Sequence, residues 1–208
     1  MLENLGLPRL KRITTELINF LENPDEYFNQ LESEQYHVSL LSSIEGKRRL
    51  RNFGFGEVEA IDFIHRNVAS EEVEKFTLVL SEYFPNIYGG NIVVNNDGSM
   101  LLEAAEGTHI ELVHGHSTPT IFGARDPFLK TIGIYADPYK KKRLDTPELE
   151  QVFLGAIHSI PKDQLEDNGK MGFHPGYYEF VVVRKGKMLV PLFIDFRDRG
   201  IYQMRHPK

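Results

Sequence analysis

The chain has 208 residues, 41% hydrophobic and 26% charged, with a formal net charge of −6 and no cysteine. That length supports one sizeable core or two small lobes. The absent cysteines exclude disulfides, thiolate zinc sites and cysteine nucleophiles, and they fit a reducing, cytoplasmic setting. No apolar run nears the roughly 20 residues needed to cross a bilayer, and the N-terminus lacks the pattern of a signal peptide. An acidic balance speaks against general nucleic-acid binding, which needs a clustered basic surface.

In chain order, the front third reads as mainly helical. Leu10, Ile13, Leu17, Ile18 and Leu21 recur at helical spacing up to a stop at Asn23-Pro24. A short helix follows from Pro24 through Leu31, then a strand-like run at residues 36–41. Glu57 to Asn67 is amphipathic, and Ser70-Glu71-Glu72 reads as the cap of a helix through Val73, Phe76, Leu80 and Phe84. Two basic runs, Lys47-Arg48-Arg49-Leu50-Arg51 and Lys140-Lys141-Lys142-Arg143, read as solvated surface or as a local site for an anion.

After Pro85 the pattern turns to strands. Ile92-Val93-Val94, a turn at Asn96-Asp97-Gly98 and Met100-Leu101-Leu102 predict a hairpin, because Asp-Gly readily takes positive φ. Further strands are predicted at 110–113, 120–122 and 131–135. Thr146-Pro147-Glu148 opens a helix ending near Pro161. Two strands, 177–183 and 188–196, close the pattern around Lys185-Gly186-Lys187. The expectation is a single α+β domain, with a helical lobe over residues 1–84 and a mainly antiparallel β-rich lobe over 85–208. The lobe boundary falls near 85–90, and one or two helices pack on the second lobe.

Three sets of residues could carry chemistry. His114 and His116 share a face of an extended strand, as two metal ligands must, whereas His109 and Glu111 have the opposite parity. Gly54, Gly56, Gly89 and Gly90 lack the frame of a phosphate-binding loop and read as turns. The last hairpin holds Glu179 in an apolar strand, opposite a strand ending in Asp195, Arg197 and Asp198. A three-residue loop with Gly186 in the left-handed position would pair odd residues with odd ones, setting Glu179, Asp195 and Arg197 on one face. Two carboxylates and a guanidinium suit magnesium–phosphate chemistry, and a cross-strand salt bridge is the plainer alternative.

Glu103-Ala-Ala-Glu106-Gly107-Thr-His-Ile-Glu111-Leu-Val-His114-Gly115-His-Ser-Thr-Pro119, followed by Glu179-Phe180 and Ile194-Asp195-Phe196-Arg197-Asp198, resembles the nucleotide-binding half of the ATP-grasp domain of phosphoenolpyruvate synthases and pyruvate phosphate dikinases. The resemblance spans roughly residues 85–200. It implies a reduced ATP-grasp fold binding ATP with Mg²⁺. Glu179 and Asp195 would be metal ligands, and Arg197 would face the phosphates as the catalytic cation. Glu103, Glu106, Gly107, Glu111, His114 and Gly115 would line the nucleotide site. Asp195 and Asp198 stand where that family has glutamine and proline. Residues 1–84 lack its arginine-serine-serine phosphate loop. Two other readings stay open: a protein-interaction or self-associating domain using Tyr83, Phe84, Tyr88 and Tyr135, and a histidine metal site at His114 and His116.

Overall fold

Runs of β-branched residues and a few short amphipathic segments build the chain into sheets faced on one side by helices. The computed structural model describes residues 5–47, 49–107, 118–125, 132–137, 142–164 and 171–198. They fall into two compact units, one of Leu10–Pro85 and one joining the residues up to Arg9 with those from Asn86 onward. Each unit is mixed α+β with antiparallel pairing. Among the described residues no helix is long and apolar enough to cross a membrane.

In the unit of residues 10–85, strands β1 (Arg12–Glu16), β2 (Tyr36–Ser42), β3 (Leu50–Phe55) and β4 (Phe76–Glu82) form one sheet in the order β1-β4-β2-β3. Helices α1 (Leu17–Glu22), α2 (Pro24–Phe28) and α3 (Glu57–Asn67) contribute to the core with the sheet's apolar face, through Leu17, Phe20, Phe28, Ala60 and Ile64 beside Val38, Leu40, Leu78 and Leu80. Two segments correct the helical expectation. Arg12–Glu16 is a strand, because Ile13-Thr14-Thr15 is a β-branched run whose alternating burial pairs it with β4. Ser70–Lys75 is a 3₁₀ helix, and Phe76–Glu82 is an almost wholly buried central strand. A short apolar run of that kind has no periodicity to separate it from a buried helix. Glu82 is 1% exposed and accepts the backbone N–H groups of Lys11 and Glu32, at 3.0 and 3.1 Å.

The second unit holds six antiparallel strands: β5 (Asn86–Val94), β6 (Met100–Glu106), β7 (Ile121–Arg125), β8 (Ile132–Tyr135), β11 (Gly176–Lys185) and β12 (Met188–Arg197), ordered β12-β11-β5-β6-β7-β8. A small pair, β9 (Lys162–Gln164) and β10 (Met171–Phe173), lies between them in the chain. The predicted hairpin forms, with Gly98 at φ 83°. Helix α4 (Pro147–Ser159) is capped as read, the Thr146 hydroxyl accepting from Leu149 N. Val152, Phe153, Ala156 and Ile157 of this helix share a core with Ile92, Leu102, Phe180 and Phe193 from one face of the sheet. The opposite face carries Glu179, Asn91 and Glu103 together with buried Val181, Val183 and Leu192.

Candidate functional site

The last hairpin turns in two residues, not three. Lys185 pairs with Met188, and Gly186 takes φ 60°. Uninterrupted, that turn pairs odd residues with even ones and would send Asp195 and Arg197 to the helix-covered face. A β-bulge prevents it: Phe180 pairs with Phe193, but Glu179 pairs with Asp195, leaving Ile194 as the extra residue. The parity then switches, and Tyr177 pairs with Arg197. The expected shared face exists, and a bulge creates it in place of the longer loop.

On that face Glu179, Asp195 and Arg197 meet. Arg197 Nη2 donates to Glu179 Oε1 at 3.3 Å, and its Nε donates to Asp195 Oδ2 at 3.1 Å. The guanidinium lies 5.8 Å from the centre of the Tyr177 ring. Glu179 is 7% exposed, while Arg197 is open to solvent. Burial raises the Glu179 carboxyl above the usual carboxylate range, and the charge of Asp195 adds to the rise. Arg197 and a Tyr177 hydrogen bond oppose it. This is a partly desolvated acidic pair held together by one exposed cation.

The ladder extends the site across the sheet. Glu179 pairs with Asn91, Asn91 with Glu103, Glu103 with Phe122 and Phe122 with Tyr135. Directly paired residues share a face, so Asp195, Glu179, Asn91, Glu103, Phe122 and Tyr135 form one row. Asn91 Oδ1 is buried without a hydrogen-bond partner among the described residues, and burial raises the Glu103 carboxyl. Glu106 pairs with Tyr88 and has the opposite parity, so it leaves the row. Gly107, at φ 91°, carries the chain out of β6. Glu111, His114 and Gly115, with His109 and His116, lie outside the described residues, as does Lys140-Lys141. Among the described residues no three His, Cys, Asp or Glu side chains gather as a metal cluster.

The aromatic residues read as partner anchors, Tyr83, Phe84, Tyr88 and Tyr135, are half-buried instead of exposed. Tyr88 packs edge-on against Phe153, with ring centres 5.7 Å apart.

A second polar face, signalled in the sequence only by the basic run at 47–51, belongs to the unit of residues 10–85. Opposite its core, Arg12 pairs with Ser81 and Ser81 with His37, while Ser39 pairs with Arg51. Arg49 Nε donates to the fully buried Ser39 Oγ at 2.6 Å. His37 Nδ1 lies 3.3 Å from Ser81 Oγ, its Nε2 is buried without a partner, and its ring stacks on Phe53 at 4.5 Å. Among the described residues Arg12, Arg49 and Arg51 have no carboxylate partner. The signal that could have found this face was the basic run at 47–51. Lys47 of that run instead pairs with Glu72.

Burial, then Arg49 and Arg51, push His37 down to about 4. Its folded value lies below the unfolded value near 6.5, so the unfolded chain binds the proton more readily. Stability is therefore lost as pH falls from about 6.5 to about 4. Urea unfolding at pH 7 and pH 4.5 should show this loss, and His37→Gln should reduce it.

No protein-family model matches the chain, and no curated protein matches it significantly. Among solved structures it is similar to the biotin carboxylase subunit of pyruvate carboxylase, over 99% of this chain and 39% of that one, at 15% identity and TM-score 0.47. It is also similar to a phosphoribosylamine–glycine ligase from Thermotoga maritima, over 94% of this chain and 44% of that one, at 12% identity and TM-score 0.40. A third is the ATP-grasp ligase PsnB, solved with a phosphomimetic minimal precursor, Mg and ADP, over 97% of this chain and 49% of that one, at 11% identity and TM-score 0.36. The chain spans less than half the length of each. Likenesses this distant leave the function to be argued from the chain's own side chains.

Proposed function

We propose that the chain binds a nucleotide as its magnesium complex on the face of the six-stranded sheet opposite its helix, as an ATP-grasp-like protein. The observation that carries this is the β12 bulge, which brings Glu179 and Asp195 together under the Arg197 guanidinium. The donor set fits the ion: Mg²⁺ takes hard oxygen ligands, commonly one or two carboxylates completed by phosphate oxygens and water. Glu179 and Asp195 would hold it, and when bound it would neutralise phosphate charge. Arg197 is half-exposed and bridges both carboxylates, and its planar fork suits phosphate oxygens.

The arginine face of residues 10–85 also suits phosphate oxygens. Three guanidinium groups without carboxylate partners among the described residues, beside buried hydroxyls, favour an anion. We assign to Arg12, Arg49 and Arg51 an anion-binding role within the unit of residues 10–85. If the protein turns substrate over, phosphoryl transfer through positioning and charge neutralisation is the reaction these groups suit.

Thermal shift and calorimetry with ATP, with and without Mg²⁺, test the reading. ATP with Mg²⁺ should raise Tm through mass action, more than either component alone. An unchanged Tm at millimolar Mg–ATP would overturn the assignment.

A further inference from the structure

We infer that Glu103, the Asn91 side-chain carbonyl and the rings of Phe122 and Tyr135 form a binding site for an organic ammonium ion. It rests on the nucleotide reading only in calling that cation a second substrate; the cation-binding claim stands by itself. Glu103 pairs directly with Asn91 on one side and with Phe122 on the other. Among the described residues Asn91 Oδ1 is a buried acceptor without a donor. Glu103 is half-buried, and among the described residues it makes no hydrogen bond or ion pair. Two neighbouring acceptors, both lacking donors, leave a desolvation cost that a ligand rich in N–H groups would relieve.

The composition of the row selects the class of ligand. A carboxylate repels anions, so phosphate oxygens belong at the Arg197 end of the row. Bare metal ions want several oxygen ligands, whereas Glu103 is followed along the row by two aromatic rings. A carboxylate with rings to one side suits an alkylammonium group, which takes hydrogen bonds at its head and packs against ring faces. Tyr135 is held on this face by a small neighbour. A Cβ on Gly133 would stand 2.2 Å from the Tyr135 hydroxyl, so the ring lies over the bare Cα of Gly133. Phe122, paired with Tyr135, extends the aromatic surface to Glu103. Burial also raises the Glu103 carboxyl, as expected of an acid lacking its counter-ion.

The probe is n-butylammonium, with n-butanol as its uncharged counterpart, titrated into the full chain without nucleotide. Saturable binding in the millimolar range is expected, since a ligand this small supports no more. Affinity should fall about 10-fold or more in Glu103→Gln, which removes the charge but keeps the shape. Butanol should bind more weakly, with the same affinity in both proteins. Because Glu103→Gln could perturb folding, the wild-type Glu103 carboxyl is also followed by carbon NMR across pH, where saturating butylammonium should move its titration to lower pH. Equal butylammonium affinity in the two proteins, or an unmoved Glu103 titration, would overturn the inference. Mg–ATP titration of both proteins separates it from the nucleotide reading. Ammonium binding without any ATP shift sinks only the latter, and an ATP shift without ammonium binding sinks only the former.

Discussion

Glu179→Gln is expected to weaken Mg–ATP binding by at least ~100-fold while leaving the fold as stable as before or more so. Removing a group that only supports a metal ligand already costs roughly 10–100-fold in affinity, and Glu179 is assigned as a ligand itself. The stability half follows from the direction of its titration. Burial and the neighbouring Asp195 raise the folded carboxyl above its unfolded value, and Arg197 does not fully offset them. A group shifted upward favours folding while protonated and loses that contribution as pH rises through its folded value. At neutral pH the ionised form is therefore a net cost, which glutamine avoids while keeping a hydrogen-bond acceptor for Arg197. A purely structural ion pair predicts the reverse: a clear loss of stability with no nucleotide effect to lose. Calorimetry with Mg–ATP, set beside thermal unfolding of both proteins, separates the two.

Phe180→Ala is expected to cost about 3–5 kcal/mol, the range for deleting a fully buried aromatic side chain. Phe180 is 0% exposed, with ring centres 6.1 Å from Phe153 and 6.2 Å from Phe193. Its ring occupies the space over Gly90, where a Cβ would lie 2.7 Å from the ring and 2.7 Å from the Glu103 carbonyl oxygen. The neighbouring residue is Glu179, so the core contact and the polar contact alternate along one strand. Urea unfolding should show the midpoint falling with little change in slope.

Much of the fold could be read locally. The Asp97-Gly98 turn, the Thr146 cap and the alternation in the last two strands are short-range signals, and the structure follows them. Arg12–Glu16 and Phe76–Glu82 were misread because their strand character comes from pairing with each other, across some sixty residues of chain. The grouping of Glu179, Asp195 and Arg197 was read, but by way of the wrong turn. No local residue pattern announces a bulge at Ile194, which answers to packing on both faces of the sheet. Asn91, Arg12 and His37 were missed because each becomes notable only beside a neighbour on another strand. A lone asparagine in a glycine-rich strand says nothing until its partners are Glu179 and Glu103.

The short stretch before β1 bears on the outer side of β12. β12 is the outermost strand of its sheet. Arg9 forms a parallel bridge to Phe193, and Phe193 N donates to the Pro8 carbonyl at 2.7 Å. Those two residues occupy backbone groups that an outer strand would otherwise offer to a strand of another molecule. The proline they include has no N–H with which to continue such pairing outward. Two residues beside the bulge thus act as a short selvedge, finishing the hem of the sheet at Phe193.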